Sequence, residues 1–110
     1  MTRLFIIAFT LAFAGSAAAQ DAATIEKGKQ VYAAQKCQGC HNIAGKGYKA
    51  NTLDGVGKKL SAADIKAWIL TPKDMATKSK ATGKPPMPDR YAKLPAADVD
   101  ALVAYLQTLK

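Results

Sequence analysis

The stretch Cys37-Gln38-Gly39-Cys40-His41 contains both cysteines and the only histidine of the 110-residue chain. The spacing C-x-x-C-H is the signature by which a c-type haem is attached. Two cysteines three residues apart can each form a thioether bond with one vinyl group of the porphyrin, and the histidine is then held against one face of the iron. The motif predicts one haem c, bound covalently through Cys37 and Cys40, with His41 as an iron ligand.

Other interpretations of this stretch require residues or elements that the sequence does not supply. A thioredoxin-like redox pair is expected beside a βαβ unit, and no segment alternates apolar and polar residues over a useful length. A structural zinc site needs four ligands, whereas two cysteines and one histidine are present in total.

Since no other histidine exists in the chain, the candidates for a second axial ligand are methionine, lysine or no protein ligand at all. Met87 lies within Pro85-Pro86-Met87-Pro88, where the prolines restrict the backbone and exclude a helix. Met75 follows Pro72 and is interpreted as a surface or loop-filling residue. Since His/Met pairs ligate iron in electron carriers, Met87 is predicted as the metal ligand opposite His41.

Three helices are predicted, and they make the chain all-α. The first covers residues 24–37, with Thr24 as its cap and Gly28 on a face that another backbone or ring approaches closely. The second begins after the N-cap Ser61 and ends at Thr71-Pro72. The third covers residues 95–109, where an apolar stripe repeats at helical spacing.

The connections between these helices, residues 42–59 and 73–94, are long and irregular. Loops of that length are uncommon in a small domain. Long loops are compatible with a small domain when it binds a large rigid ligand, because the loops can then fold over the ligand. We therefore expect three to four helices and long loops wrapped around the haem.

Residues 1–19 have the pattern of a cleaved signal peptide. Arg3 is followed by an apolar run over residues 4–14 and then by small residues, with Ala17 and Ala19 in the A-x-A pattern. The run is shorter than the roughly 20 residues that span a bilayer, so no membrane span is expected in the mature chain. We expect export to the periplasm and a single mature domain over residues 20–110.

The mature chain is strongly basic. Without Arg3, 15 basic and 8 acidic residues remain, a net charge of +7 (15 − 8). Such a surface favours acidic partners. Export and the absence of a basic helix or arginine cluster argue against nucleic acid, so acidic docking surfaces on redox partner proteins are expected.

Taken together, these residues resemble the class I cytochrome c family, particularly its small bacterial periplasmic monohaem members. The likeness covers residues 25–110: Glu26-Lys27-Gly28 with Val31-Tyr32 resembles the family's first helix, and residues 102–106 resemble the last helix, which crosses it. Trp68 matches an aromatic beside the haem on its methionine side, and residues 53–57 resemble the loop around the haem edge.

One departure from the family concerns the ligand histidine. The family often has a proline before that loop, and its carbonyl accepts the free N–H of the histidine. Ala50-Asn51-Thr52 stands in its place here. The carbonyl that orients His41 therefore remains open at this point.

The resemblance implies a periplasmic carrier of single electrons with His/Met ligation, a monomer or a subunit of a redox complex, and not an enzyme. Two alternatives remain: a cytochrome subunit bound permanently to a periplasmic oxidoreductase, and a haem sensor or peroxidase with an open iron site.

Overall fold

The computed structural model describes residues 17–83 and 85–110, with side chains from residue 22 onward. Residues 1–16 of the predicted signal peptide lie outside the described residues. Cleavage of the signal peptide stays a prediction. No helix in the described part of the chain combines the length and hydropathy needed to cross a bilayer.

The described chain is mostly helical, which confirms the predicted all-α class. Two short strands pair antiparallel, with Asn42 opposite Gly47; the sequence analysis expected none. The elements are the α-helices α1 (Ala17–Ala34), α2 (Val56–Lys59), α3 (Ala62–Leu70), α4 (Pro72–Ser79) and α5 (Ala96–Gln107), the strands β1 (Asn42–Ile43) and β2 (Lys46–Gly47), and the 3₁₀ helices Cys37–Gly39 and Asp89–Lys93.

The predicted boundaries of the first helix are wrong at both ends. Helix α1 already covers the described residues from Ala17 onward instead of starting at Thr24, because the alanines before Thr24 favour helix. It ends at Ala34, and Lys36 then adopts a left-handed conformation with φ 55°. This turn directs the chain into the 3₁₀ helix that carries Cys37.

The second predicted helix is confirmed as α3. The Ser61 side chain caps it by accepting the Asp64 N–H at 3.1 Å, and it ends before Thr71. The prediction of an irregular segment after Pro72 is wrong in part, since Pro72 opens helix α4. Proline suits the first turn of a helix, where its missing N–H costs nothing. Met75 therefore lies on a helix.

Helix α5 confirms the third predicted helix, and it packs against α1 and α3 in the core. Its apolar stripe is buried, and burial of each such side chain stabilises by about 1.5–3 kcal/mol. A Cβ on Gly28 would overlap the Ala101 carbonyl and come within 2.5 Å of the Tyr105 Cβ. The predicted close approach at Gly28 is thus confirmed. The buried members of the α5 stripe are Val99, Leu102, Val103 and Leu106.

Candidate functional site

A cavity of about 500 Å³ opens between the helices and the loops. Cys37, Cys40 and His41 lie on its wall, and Met87 lines it as well. Its volume falls in the range of about 300–1,000 Å³ usual for ligand sites. The remaining wall is largely apolar and includes Leu53, Val56, Ile65, Trp68, Ile69 and Leu106.

Local hydrogen bonds shape the attachment segment. The N–H groups of Cys40 and His41 both donate to the Cys37 carbonyl, at 3.1 and 2.9 Å. The two cysteines are half-buried and form no disulfide bond. Burial raises the pKa of the Cys37 thiol to about 11, and this outweighs the opposing effect of Arg90. Both thiols thus stand at the cavity within one tight turn.

The backbone of His41 is fixed by the residues that follow it. Its carbonyl accepts the Tyr48 N–H at 3.0 Å. Gly47 has φ 117°, and a Cβ there would overlap the same carbonyl. The neighbouring Asn42 is buried and donates from Nδ2 to the Tyr48 carbonyl at 2.7 Å. The strand pair and the residues beside it therefore hold the His41 backbone in place.

The two nitrogens of the His41 ring differ in their surroundings. Nδ1 is buried and has no well-formed hydrogen bond to another described residue, whereas Nε2 is not among the buried atoms without a partner. Burial lowers the pKa of His41 below its usual 6.5, and the neighbouring Asn51 backbone partly opposes this. The Asn51 carbonyl thus lies near the His41 ring, but Nδ1 makes no well-formed hydrogen bond with it. The neutral ring that burial favours is the form that binds metals.

The two methionines differ in their position relative to the cavity. Met87 is half-buried, and Pro85 and Pro86 line the cavity beside it. It also lines an adjoining smaller cavity, of about 270 Å³, together with His41 and Arg90. Met75 lines neither cavity. Of the two candidate ligands, Met87 is therefore the one that lines the same cavity as the attachment segment.

The residues present fit a covalently bound haem. Two thiols, a neutral imidazole and a thioether converge on one apolar cavity, which is the donor set that haem attachment and axial ligation use. The described residues contain no cluster of His, Cys, Asp and Glu suited to a separate metal ion.

Two residues of the site, Asn51 and Tyr32, were not predicted from the sequence. Asn51 lines the cavity and lies beside His41; the missing family proline pointed to its neighbourhood but not to the residue. Tyr32 also lines the cavity, and its buried hydroxyl has no hydrogen-bond partner among the described residues. The spacing of apolar residues placed Tyr32 on one face of the first helix but did not predict that it lines the cavity.

The sequence model of the family described as Cytochrome c matches residues 25–110. The chain therefore belongs to the cytochrome c family, whose members bind haem covalently and transfer electrons to and from redox partners. No curated protein and no solved structure matches the chain significantly.

Proposed function

We propose that this cytochrome c is a periplasmic carrier of single electrons, with one haem bound through Cys37 and Cys40 and ligated by His41 and Met87. The proposal includes cleavage of residues 1–19 and a mature domain over residues 20–110. It assigns the chain no substrate chemistry of its own, so the protein is not an enzyme.

The observation that carries the proposal is that all four residues line one cavity. They come from two segments of the chain that are more than forty residues apart in sequence. Convergence of thiol, imidazole and thioether groups at one apolar cavity supports His/Met ligation over an open iron site. Met75, the alternative sulfur ligand, is absent from the cavity wall.

Each residue has a defined part in the proposed function. When bound, haem supplies a reversible one-electron change at its iron. Cys37 and Cys40 retain the cofactor covalently, and neutral His41 offers Nε2. The soft thioether of Met87 favours ferrous iron and raises the potential. The apolar wall, which includes Trp68 and Ile69, keeps water out, so little needs to rearrange on transfer.

The charge around the cavities supports an acidic redox partner. Lys59 lines the larger cavity, while Lys36 and Arg90 line the smaller one beside Cys37 and Cys40. These cations therefore border the cavities that would hold the haem in the proposed function. They would steer a surface rich in carboxylates toward the haem.

Salt dependence tests the docking part of the proposal. Electron transfer from the reduced protein to an acidic redox partner should slow steeply as ionic strength rises from about 10 to 150 mM, where the screening length falls from about 30 to 8 Å. Lys36→Gln with Arg90→Gln should lower the low-salt rate, and Lys110→Gln provides a control at the chain terminus. A rate independent of salt would contradict acidic docking and indicate apolar contacts.

Two measurements separate the proposal from its alternatives. Prompt carbon monoxide binding to the ferrous protein would indicate an open-site sensor or peroxidase. Co-elution of the native protein with an oxidoreductase in size-exclusion chromatography would indicate a permanent subunit. A free carrier elutes alone and resists carbon monoxide.

A further inference from the structure

Tyr32 is a buried residue whose hydroxyl group is left without a partner by the rest of the described chain. The residue is only 8 % exposed, and its hydroxyl is buried with no hydrogen bond to another described residue. Buried polar groups in folded proteins nearly all have a hydrogen-bond partner, because an unpaired group loses its bonds to water without replacement. The partner of this hydroxyl is therefore to be sought in the cavity that Tyr32 lines.

The position of Tyr32 along this cavity is set by the first attachment cysteine. Tyr32 lies in the last turn of α1, and Cys37 begins the 3₁₀ helix that follows. Both residues line the cavity, and Cys37 packs against the buried cluster to which Tyr32 belongs. The two ionisable neighbours that raise the pKa of Tyr32 are Cys37 and Tyr105, and of these Cys37 is the one on the cavity wall.

The ring that carries the hydroxyl is held in one orientation. Helix α5 approaches α1 closely at Gly28, and this brings the Tyr105 ring edge-on to the Tyr32 ring, with centroids 6.0 Å apart and planes at 76°. Such edge-on pairs are a favoured arrangement of aromatic rings. Because the hydroxyl oxygen lies in the plane of its ring, a fixed ring also fixes the oxygen, and only the direction of the O–H bond can adjust to a bound group.

We propose that the Tyr32 hydroxyl is a further haem-binding group, which donates a hydrogen bond to the edge of the haem that Cys37 carries. The acceptors at that edge are the thioether sulfur and the face of the porphyrin ring, since the haem carboxylates lie on the half of the ring away from its vinyl groups. The inference rests on the proposed function, because Cys37 must hold the haem for this edge to lie beside Tyr32.

The effect on the haem follows from the direction of the O–H dipole. Its positive end beside the haem stabilises the ferrous form, which carries one positive charge less, and hydrogen bonding around a haem is one of the ways in which a protein sets its potential. Stability at pH 7 should change little on substitution by phenylalanine. Sulfur is a weak acceptor, and phenylalanine removes the donor together with its need for a partner.

The test compares haem-loaded wild type, Tyr32→Phe and Tyr105→Phe by potentiometry and by proton NMR of the reduced proteins. Tyr32→Phe should lower the midpoint potential. In reduced wild type, whose low-spin iron is diamagnetic, the Tyr32 hydroxyl proton should exchange slowly with solvent. It should also show a nuclear Overhauser effect to the protons of the thioether bridge at Cys37.

Tyr105→Phe is the matched control. It removes the same hydroxyl group from the other ring of the edge-on pair, but Tyr105 lines neither cavity. Its substitution should leave both the potential and the hydroxyl resonance of Tyr32 unchanged. The nuclear Overhauser measurement uses wild type alone, so the proposal stays testable if Tyr32→Phe yields too little haem-loaded protein.

A Tyr32 hydroxyl proton that exchanges rapidly and shows no contact with the thioether bridge would overturn the proposal, because water would then be its partner. An unchanged potential in Tyr32→Phe would also overturn it, as would an equal shift in Tyr105→Phe. The proposed function fails separately: wild type would lose its haem on extraction or lack a sulfur-ligation band before any variant is compared.

Discussion

The two sides of the cavity are built differently. On the histidine side, residues 37–53, the Tyr48 N–H lies 3.0 Å from the carbonyls of both Gln38 and His41, and the Leu53 N–H donates to Asn42 at 2.8 Å. On the methionine side, residues 80–88, the amides of Lys80 and Ala81 donate back into helix α4. Beyond Ala81, the described residues of this side donate no backbone hydrogen bond to another described residue.

The difference concerns how the two proposed iron ligands are positioned. Backbone hydrogen bonds hold His41 in place from within the protein, whereas the prolines around Met87 only narrow the conformations of its segment. The exposed ion pair between Lys73 and Asp89, at 4.0 Å, adds little at such distance and exposure. The histidine side is therefore held by backbone hydrogen bonds that the described residues of the methionine side beyond Ala81 do not donate.

The largest expected effect is on haem retention, which should depend on the histidine side alone. Cys37→Ala with Cys40→Ala removes both thioether bonds, so acid–acetone extraction should release all of the haem. Met87→Leu, on the other side, should keep its haem through the same extraction. Haem that extracts fully from wild type would refute covalent attachment.

The next effect is on iron ligation and separates the two methionines. Met87→Leu should abolish the weak far-red absorption band of ferric iron bound to a thioether, admit carbon monoxide and lower the potential. Met75→Leu, the control, should keep the band and cost less than about 1.5 kcal/mol as a volume-conserving change. The reverse pattern would make Met75 the ligand.

Alanine substitutions of one glycine on each side compare the rigidity of the two sides. Alanine at Gly47 is strained by φ 117° and by overlap with the His41 carbonyl, and should lower the free energy of unfolding by about 1–3 kcal/mol. At Gly83 a Cβ would meet only the Asn51 side chain, at 4.0 Å, so Gly83→Ala should be neutral or stabilise by up to ~1 kcal/mol. Denaturant titration of the haem-loaded proteins measures both. Equal losses would contradict the difference between the sides.

The smallest effect concerns Tyr32, on helix α1 behind the cavity. Burial raises the pKa of its hydroxyl from 10.0 to about 12, with smaller contributions from Cys37 and Tyr105. As the pH rises, Tyr32 therefore loses its proton in the unfolded chain before it does so in the folded chain. The contribution of the neutral Tyr32 hydroxyl to stability is complete below pH 10 and is lost as the pH rises toward 12. Tyr32→Phe should be neutral at pH 7 and should reduce the loss of stability above pH 10.

Thermal unfolding at pH 7 and pH 11 measures this difference. Tyr48→Phe is the control, because the Tyr48 ring is 47 % exposed and its removal should leave the alkaline loss unchanged. A Tyr32→Phe variant that weakens as steeply as wild type would show that another group causes the alkaline loss.

The sequence by itself determined the features that depend on neighbours a few residues away. The C-x-x-C-H spacing needs only one turn of chain, the Ser61 cap needs only the amide of Asp64, and the apolar stripe of α5 repeats within one helix. The sequence also predicted the close approach at Gly28, because a glycine on an otherwise apolar helix face indicates that another element packs closely against it.

Only the tertiary structure decided which distant groups meet. The sequence did not predict that Pro72 opens helix α4, because proline both ends one helix and begins the next. Nor did it identify Asn51 as the residue whose backbone lies beside His41. Met87 was chosen over Met75 from the neighbouring prolines, but only the tertiary structure shows that Met87 lines the same cavity as His41. Such pairings depend on how helices and loops pack around a common cavity, and residues far apart in sequence carry no local signal of that packing.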